Sequence, residues 1–401
     1  MSAALRFIVP VLLAACLRVS GHELDGRVMC GYQGWFRCEG DGAGEGWRHY
    51  QAGGKFEPGQ VNIEIWPDVG ELAPEERCAT KFRHADGRVA EVFSSVNEAT
   101  VRRHFRWMRE AGIDGVFLQR FAVEAVNAGV RDSLGRVLAN VRAAARAEER
   151  NWCLMYDFSG MKPERMREIE DDWRTLHRDG PMKGEDLFYQ GFRGKPLVSL
   201  WGLGFNDRPA ALAEWERLIR FFRGEGCAVM LGVPCYWRTL DRDTIADPKL
   251  HELIALADIV SPWAVGRFGT PEQAAEREES VLKPDIAWCR DRKITYLPVV
   301  FPGFSWHNLQ KSRGRDAPFD QIPRRGGEFL WSQAVAAKQA GSDAVYVAMF
   351  DEMDEGTAIF KTTQDPPVGA SPFLREPGVS PDHYLRLTGR IGRLLRDEPV
   401  D

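Results

Sequence analysis

Residues 350–357 read FDEMDEGT. Asp351, Glu352, Asp354 and Glu355 put four carboxylates within five residues, directly after the apolar run Ala344–Phe350. Like charges so close repel one another and are costly beside apolar surface. Three uses suit such a cluster. It can be a solvated acidic loop. It can hold a hard cation, with Asp351 and Asp354 as the candidate ligands, although the spacing does not follow the EF-hand pattern. Or it can cleave a glycosidic bond, which needs one carboxylic acid at the leaving oxygen and a second carboxylate on or near the sugar. Glu352 and Glu355 stand three apart. On an extended strand they would point to opposite faces; on a helical turn they are neighbours, about 5–6 Å between Cβ atoms. Gly356 and Thr357 mark an exit from the strand, so the spacing predicts a turn that brings both glutamates together. Crowding then raises one pKa and leaves the other group ionised, giving an acid and a base.

What must position such a pair is legible in the apolar runs. Eight have strand length: Val28–Trp35, Gly115–Phe121, Trp152–Phe158, Pro196–Gly202, Ala228–Trp237, Asp258–Gly266, Thr295–Phe304 and Ala344–Phe350. They are near-continuously apolar rather than alternating, as parallel strands buried on both faces are. Helix-period segments lie between them. NEATVRRHFRWMREAG sets Val101, Phe105 and Met108 on one face and ends at Gly112, a C-cap candidate. Strand followed by helix, repeated eight times, predicts a single (β/α)8 barrel. No GxGxxG follows the first run, which argues against a doubly wound open sheet.

In a barrel the ends of these runs share one rim. They supply Tyr32, Gln33 and Trp35; Gln119 and Arg120; Tyr156, Asp157 and Ser159; Trp201; Tyr236 and Trp237; Trp263; and Trp306 with His307. Flat rings for sugar CH faces and bidentate polar groups for hydroxyls are what a carbohydrate needs. Asp157 has helix capping as its alternative, Arg120 an ion pair, and every Trp a place in the core. His104, inside a helix, reads as structural. Two long insertions belong to the same rim. Residues 37–95 follow the first run and carry NIEIWPDVGEL, whose Trp66 and Asp68 are candidates for a cleft wall. GFSWHNLQKSRGRDAPFDQIPRRGG follows the seventh. Insertions this long are uncommon without a purpose.

The remaining features set boundaries. The chain has 401 residues, 44% hydrophobic and 28% charged, with a formal net charge of -5 and no basic run. Nucleic acid is excluded as a natural partner. Residues 1–21 resemble a secretory signal, with Arg6, a short apolar core from Phe7 to Ala15 and then small residues. LAAC at Leu13–Cys16 resembles a lipobox, so a lipid on Cys16 is the one membrane attachment foreseen; the destination is the periplasm, the cell surface or the medium. Residues 22–401 read as one catalytic domain. Cys153 and Cys227 read as core residues. Cys30 and Cys38 are candidates for a disulfide, and no cysteine has zinc-ligand spacing.

FDEMDEGT resembles the E-x-x-E-G-T element that ends the last strand in glycoside hydrolase family 99, the endo-α-mannosidases and endo-α-mannanases. GYQGWF, IEIWPDV and GIDGVFLQRF are similar to its first-strand, insertion and second-strand elements, and to those of family 71/99-like bacterial relatives, some named xylosidase/arabinosidase. The resemblance covers most of the chain past residue 26. It implies an oligo- or polysaccharide substrate, no cofactor, and roles for two residues. Glu352 would act as base on the substrate's own 2-hydroxyl, giving a 1,2-anhydro sugar with retention. Glu355 would be the general acid and then the base that activates water. The family has Trp-His between its glutamates and Asn before the first; here Met353 and Asp354 lie between and Asp351 precedes. Two other readings therefore stay open: a non-catalytic carbohydrate-binding lipoprotein, and a metal-dependent carbohydrate-active enzyme using Asp351–Glu355.

Overall fold

The computed structural model describes residues 23–400. The predicted signal and lipobox, with Cys16, lie outside the described residues. Nine strands form one curled parallel sheet: β1 (Val28–Tyr32), β2 (Gly115–Phe121), β3 (Asn151–Asp157), β4 (Lys195–Trp201), β5 (Ala228–Pro234), β6 (Ile259–Trp263), β7 (Thr295–Tyr296), β8 (Val299–Val300) and β9 (Val345–Val347). Their order is β7-β6-β5-β4-β3-β2-β1-β9-β8, with Gly191–Phe192 added antiparallel to β4. The seventh predicted run is two short strands. Its middle residues are Leu297 and Pro298, and a proline has no N–H to give to a ladder. Hydrogen bonding continues across the break: Leu297 N donates to Val260 O at 2.8 Å, and Tyr346 N donates to Pro298 O at 2.9 Å.

Because the strands are buried on both faces, residue parity divides the core in two. Val116, Leu118, Leu154, Tyr156, Val198, Leu200, Val229 and Leu231 meet the surrounding helices. Met29, Phe117, Cys153, Met155, Leu197, Trp201, Met230, Ile259 and Tyr346 fill the concave side. Gly31 is required there: a Cβ would lie 2.2 Å from Met349 Sδ and 2.4 Å from the Tyr346 hydroxyl.

The helices follow the sequence signals. Glu98–Ala111 starts on Asn97, whose side chain accepts from Ala99 N and Thr100 N, and ends at Gly112 with φ 82. This is the predicted C-cap, in the left-handed conformation that glycine adopts without strain. Leu212–Gly224, Glu328–Gln339 and His383–Leu395 match other helix-period segments. The first insertion folds on itself. It contains an antiparallel pair, Arg77–Arg83 with Val89–Phe93. A disulfide joins Cys38 to Cys78, Cα atoms 6.4 Å apart. Cys30 is not its partner: it sits in β1, where every residue is buried, with a free thiol.

Candidate active site

The chain after β9 does turn. Thr357 N and Ala358 N both donate to Glu352 O, at 3.2 and 3.0 Å, and Gly356 N donates to Met353 O. Gly356 has φ 66, a left-handed conformation that suits glycine, and a Cβ there would crowd Ser305 N at 3.0 Å. Other elements hold the turn's carbonyls. Glu64 N donates to Met353 O at 2.8 Å and Ser305 N to Glu355 O at 3.0 Å. Arg324, buried against Tyr384, donates from Nη1 to Ala358 O at 2.9 Å. The turn is thus clamped from both insertions, the first through Glu64 and the second through Ser305 and Arg324.

Glu352 and Glu355 open on one cavity of about 680 Å3 at the C-terminal ends of the strands. Gln33, Trp35, Gln119, Asp157, Ser159, Trp201, Trp263 and Asp354 line the same cavity. Trp201 and Trp263 meet edge to face at 5.5 Å between centroids. Sequence reasoning did not find Arg48, His49, Gln51, Asn62, Phe121, Asp207, Arg208, Leu309 and Arg313, which complete the lining. Phe121 was discoverable, being the next inward residue of β2 after Gln119. Leu309 sits in the helix His307–Ser312; the others sit on loops with no periodicity to place them.

Several predicted contacts lie elsewhere, mostly by parity. Tyr32, Arg120 and Tyr156 point outward from the sheet. The Tyr32 hydroxyl is 2.9 Å from His104 Nδ1, which bears out the structural place of His104. Arg120 donates from Nε and Nη2 to Asp172 at 2.8 and 2.7 Å, and the Tyr156 hydroxyl donates to the same carboxylate at 2.8 Å. Trp237 is buried in an edge-to-face pair with Trp288. Tyr236 lies outside the cavity with Arg242 stacked on its ring. Trp66 is the core of the first insertion, stacked on Phe56, with its indole N–H given to Glu91 O. Asp68 accepts from Gly70 N in its own turn. Trp306 packs on Phe304. His307 opens the helix His307–Ser312, its Nδ1 2.8 Å from Ala317 O. The amphipathic ring that suits a sugar also suits a core, and local sequence does not separate the two.

The four carboxylates have different surroundings. Asp351 is fully buried, and its oxygens accept from Gln33 N at 2.7 Å and Gly34 N at 2.9 Å. It fastens the β1 loop to the turn rather than facing the cavity. Glu352, 5% exposed, accepts from Gln33 Nε2 at 2.9 Å and Thr357 Oγ1 at 3.1 Å. Burial first, and then the charges of Glu355, Asp354 and Asp351, raise its pKa well above the ordinary carboxylate range. Glu355 is half-buried, and burial followed by the charge of Asp354 pushes it up to about 7, against the pull of Arg313. Among the described residues, no donor reaches its carboxyl. Asp354 is likewise pushed up to about 7, chiefly by burial. Burial raises Asp157 to about 6, opposed by the Ser159 N–H that its Oδ1 accepts at 2.7 Å. Among the described residues no three His, Cys, Asp or Glu side chains are arranged to hold a metal ion; the Asp351 oxygens are taken by backbone amides.

One further property marks the cavity as a place for a ligand. Gln33 Oε1, Gln119 Oε1, Asn62 Oδ1 and Asp354 Oδ1, with the indole nitrogens of Trp35 and Trp201, are buried and have no hydrogen-bond partner in the protein. All six residues line this cavity. A buried polar atom left unpaired costs about 1–3 kcal/mol. The six residues that carry them line one hollow, a polar setting that suits a polyhydroxyl molecule.

Solved structures similar to this chain share its fold. The family 99 endo-α-mannosidase from Bacteroides thetaiotaomicron superposes with a TM-score of 0.65 at 16% identity, over 93% of this chain and 98% of the other. Its complex with bis-tris-propane gives 0.63 at 17% over the same shares. A glycoside hydrolase-like protein gives 0.55 at 13%, over 96% and 97%. No family model and no curated protein matches the sequence. The chain therefore has a family 99-like, TIM-barrel-type α/β fold, which the four sequence motifs had implied.

Proposed function

We propose that this chain is a retaining glycoside hydrolase acting on a glycan with a free 2-hydroxyl trans to the scissile bond, an α-mannoside being the simplest case. The observation that carries this reading is the Glu352–Glu355 pair on one clamped turn, facing a cavity ringed by unpaired polar atoms and the Trp201–Trp263 pair.

Hydrogen bonding divides the roles. Gln33 Nε2 and Thr357 Oγ1 both donate to Glu352, which favours its ionised form. Burial and neighbouring charge raise both carboxyls, Glu352 well above the ordinary range and Glu355 to about 7, so the pair retains a proton near neutrality; because Glu352 has both donors and Glu355 none, we assign that proton to Glu355. Glu352 then takes the proton of the substrate 2-hydroxyl. That oxygen attacks the anomeric carbon while Glu355 protonates the leaving oxygen, and a 1,2-anhydro sugar results. In the second step Glu355 accepts a proton from water, the water oxygen opens the three-membered ring, and Glu352 returns its proton to O2. Two inversions give net retention. Gln119, Asp157 and Trp201 hold the sugar from the concave wall.

We read β7 and β8 as two halves of one seventh strand, which makes the curled sheet an eight-fold barrel. Export, with or without a lipid on Cys16, is the setting we infer; the Cys38–Cys78 disulfide suits an oxidising compartment. Digestion of a glycan library, with product anomers followed by NMR, tests the function. Retained products from the wild type, and none from Glu352→Gln or Glu355→Gln, are expected. Equal cleavage by all three proteins would remove both glutamates from the mechanism.

A further inference from the structure

Beside Glu355, a side-chain contact joins the first insertion to the acidic turn. His49 Nδ1 stands 3.5 Å from Asp354 Oδ2. The other oxygen, Asp354 Oδ1, is one of the unpaired atoms, in a residue 4% exposed that lines the cavity. His49 also lines the cavity. Its ring lies flat on Trp35, centroids 3.8 Å apart and planes 8° from parallel. Its backbone has φ 64, uncommon for a residue other than glycine and found where surroundings impose it. The imidazole is therefore set in place by a stacked indole, a constrained backbone and a carboxylate. The neighbouring charges are those of Arg48, Glu124, Glu45 and Arg37; Arg48 is ion-paired with both Glu45 and Glu124.

We propose that His49 and Asp354 together read the hydroxyl groups of the sugar unit on the leaving-group side of the scissile bond. The placement of that unit rests on the glycosidase reading, through the role of Glu355. Burial holds His49 neutral, pushed down to about 3, so the ring has one N–H and one lone pair. Ionised Asp354 takes the Nδ1 hydrogen. Nε2 is then fixed as an acceptor on the cavity side, and Asp354 Oδ1 is a second acceptor next to it. Two adjacent acceptors suit two hydroxyl hydrogens of a neutral sugar and repel a carboxylate or sulfate. A contact 3.5 Å long in the free protein shortens when the site fills. His49 is a specificity-determining residue here, and Asp354 fixes its tautomer.

The test combines nitrogen NMR of histidine-labelled protein at pH 8, where Asp354 is ionised, with kinetics on two substrates. The His49 signal is identified by its loss in His49→Gln. An Nδ1–H tautomer that is lost or mixed in Asp354→Asn is expected; an Nε2–H tautomer, or one indifferent to Asp354→Asn, overturns the proposal. In kinetics, His49→Gln should lose kcat/KM on an α-mannooligosaccharide about 3–10-fold more than on an aryl α-mannoside, which lacks a sugar on the leaving side. Equal losses on both overturn it. A wild type that cleaves neither substrate but shows the Asp354-dependent tautomer would sink the α-mannoside form of the hydrolase reading and leave the pair standing.

Discussion

Two buried clusters of charge lie on opposite sides of the same strands, and they are built on opposite terms. On the outer side, Arg120, Asp172 and Tyr156 satisfy one another with three hydrogen bonds between 2.7 and 2.8 Å. On the concave side, Glu352, Asp354 and Glu355 crowd without a paired cation, all raised by burial, and Glu352 and Glu355 also by neighbouring carboxylates. Register places the two clusters side by side: Phe121 and Asp157 are paired across β2 and β3, as are Arg120 and Tyr156. One cluster spends its polarity on holding β2 and β3 to the helix Glu168–Arg178. The other leaves the Glu355 carboxyl and one Asp354 oxygen without a partner among the described residues. Charge and burial are therefore insufficient to find a functional site; the discriminating property is whether the buried groups are already paired.

Predictions follow from that contrast, from the largest effect to the smallest. Glu355→Gln should lower kcat on a glycan about 10²–10⁴-fold, the usual range for a missing acid, while circular dichroism shows an unchanged fold. Arg120→Ala should do the reverse. It strands Asp172 inside the protein and should cost about 3–5 kcal/mol in a urea titration, with kcat/KM of the folded fraction altered less than tenfold. The triple change Arg120→Leu, Asp172→Leu, Tyr156→Phe should recover most of that loss, since it removes the charges and the hydroxyl together. Failure to recover would mean that the outer cluster does more than satisfy itself.

The pH dependence sharpens the same distinction. With Glu355 pushed up to about 7, kcat/KM should fall as pH rises through about 7. That limb should vanish in Glu355→Gln assayed with an activated aryl leaving group. Stability should move with the same protons. A carboxyl whose folded pKa is raised binds its proton more tightly in the folded state than in the unfolded chain, where glutamate titrates near about 4.3. Stability is therefore lost as pH rises from about 4 to about 7. Relieving one such group, Glu355→Gln should raise Tm by about 1–3 °C at pH 8 and leave it unchanged at pH 4. Equal Tm values at both pH values would show that the turn carries no stored repulsion.

How much of this was legible before folding depends on the kind of signal. FDEMDEGT announced its turn through Gly356 and Thr357, and the two glutamates do face one cavity. The apolar runs and Gly112 announced strands and a helix end. The rim residues were a mixture. Gln33, Trp35, Gln119, Asp157, Trp201 and Trp263 are in the cavity, whereas Tyr32, Arg120, Tyr156 and Trp237 are in the outer layer. A strand apolar on both faces has no alternation from which to read its inward side. His49, Asn62 and Arg313 reach the cavity on loops tens or hundreds of residues from the turn.

Sequence alone determined which chemistry was at hand: two glutamates three apart at a strand's end, and a chain long enough in apolar runs to build a rim around them. These are local facts, set by residue type, spacing and backbone preference. Tertiary structure decided which polar groups are paired and which are left open, because pairing is a property of distance across strands and loops. That decision separates Arg120, which holds the protein together, from Gln119, one residue earlier, which faces the cavity.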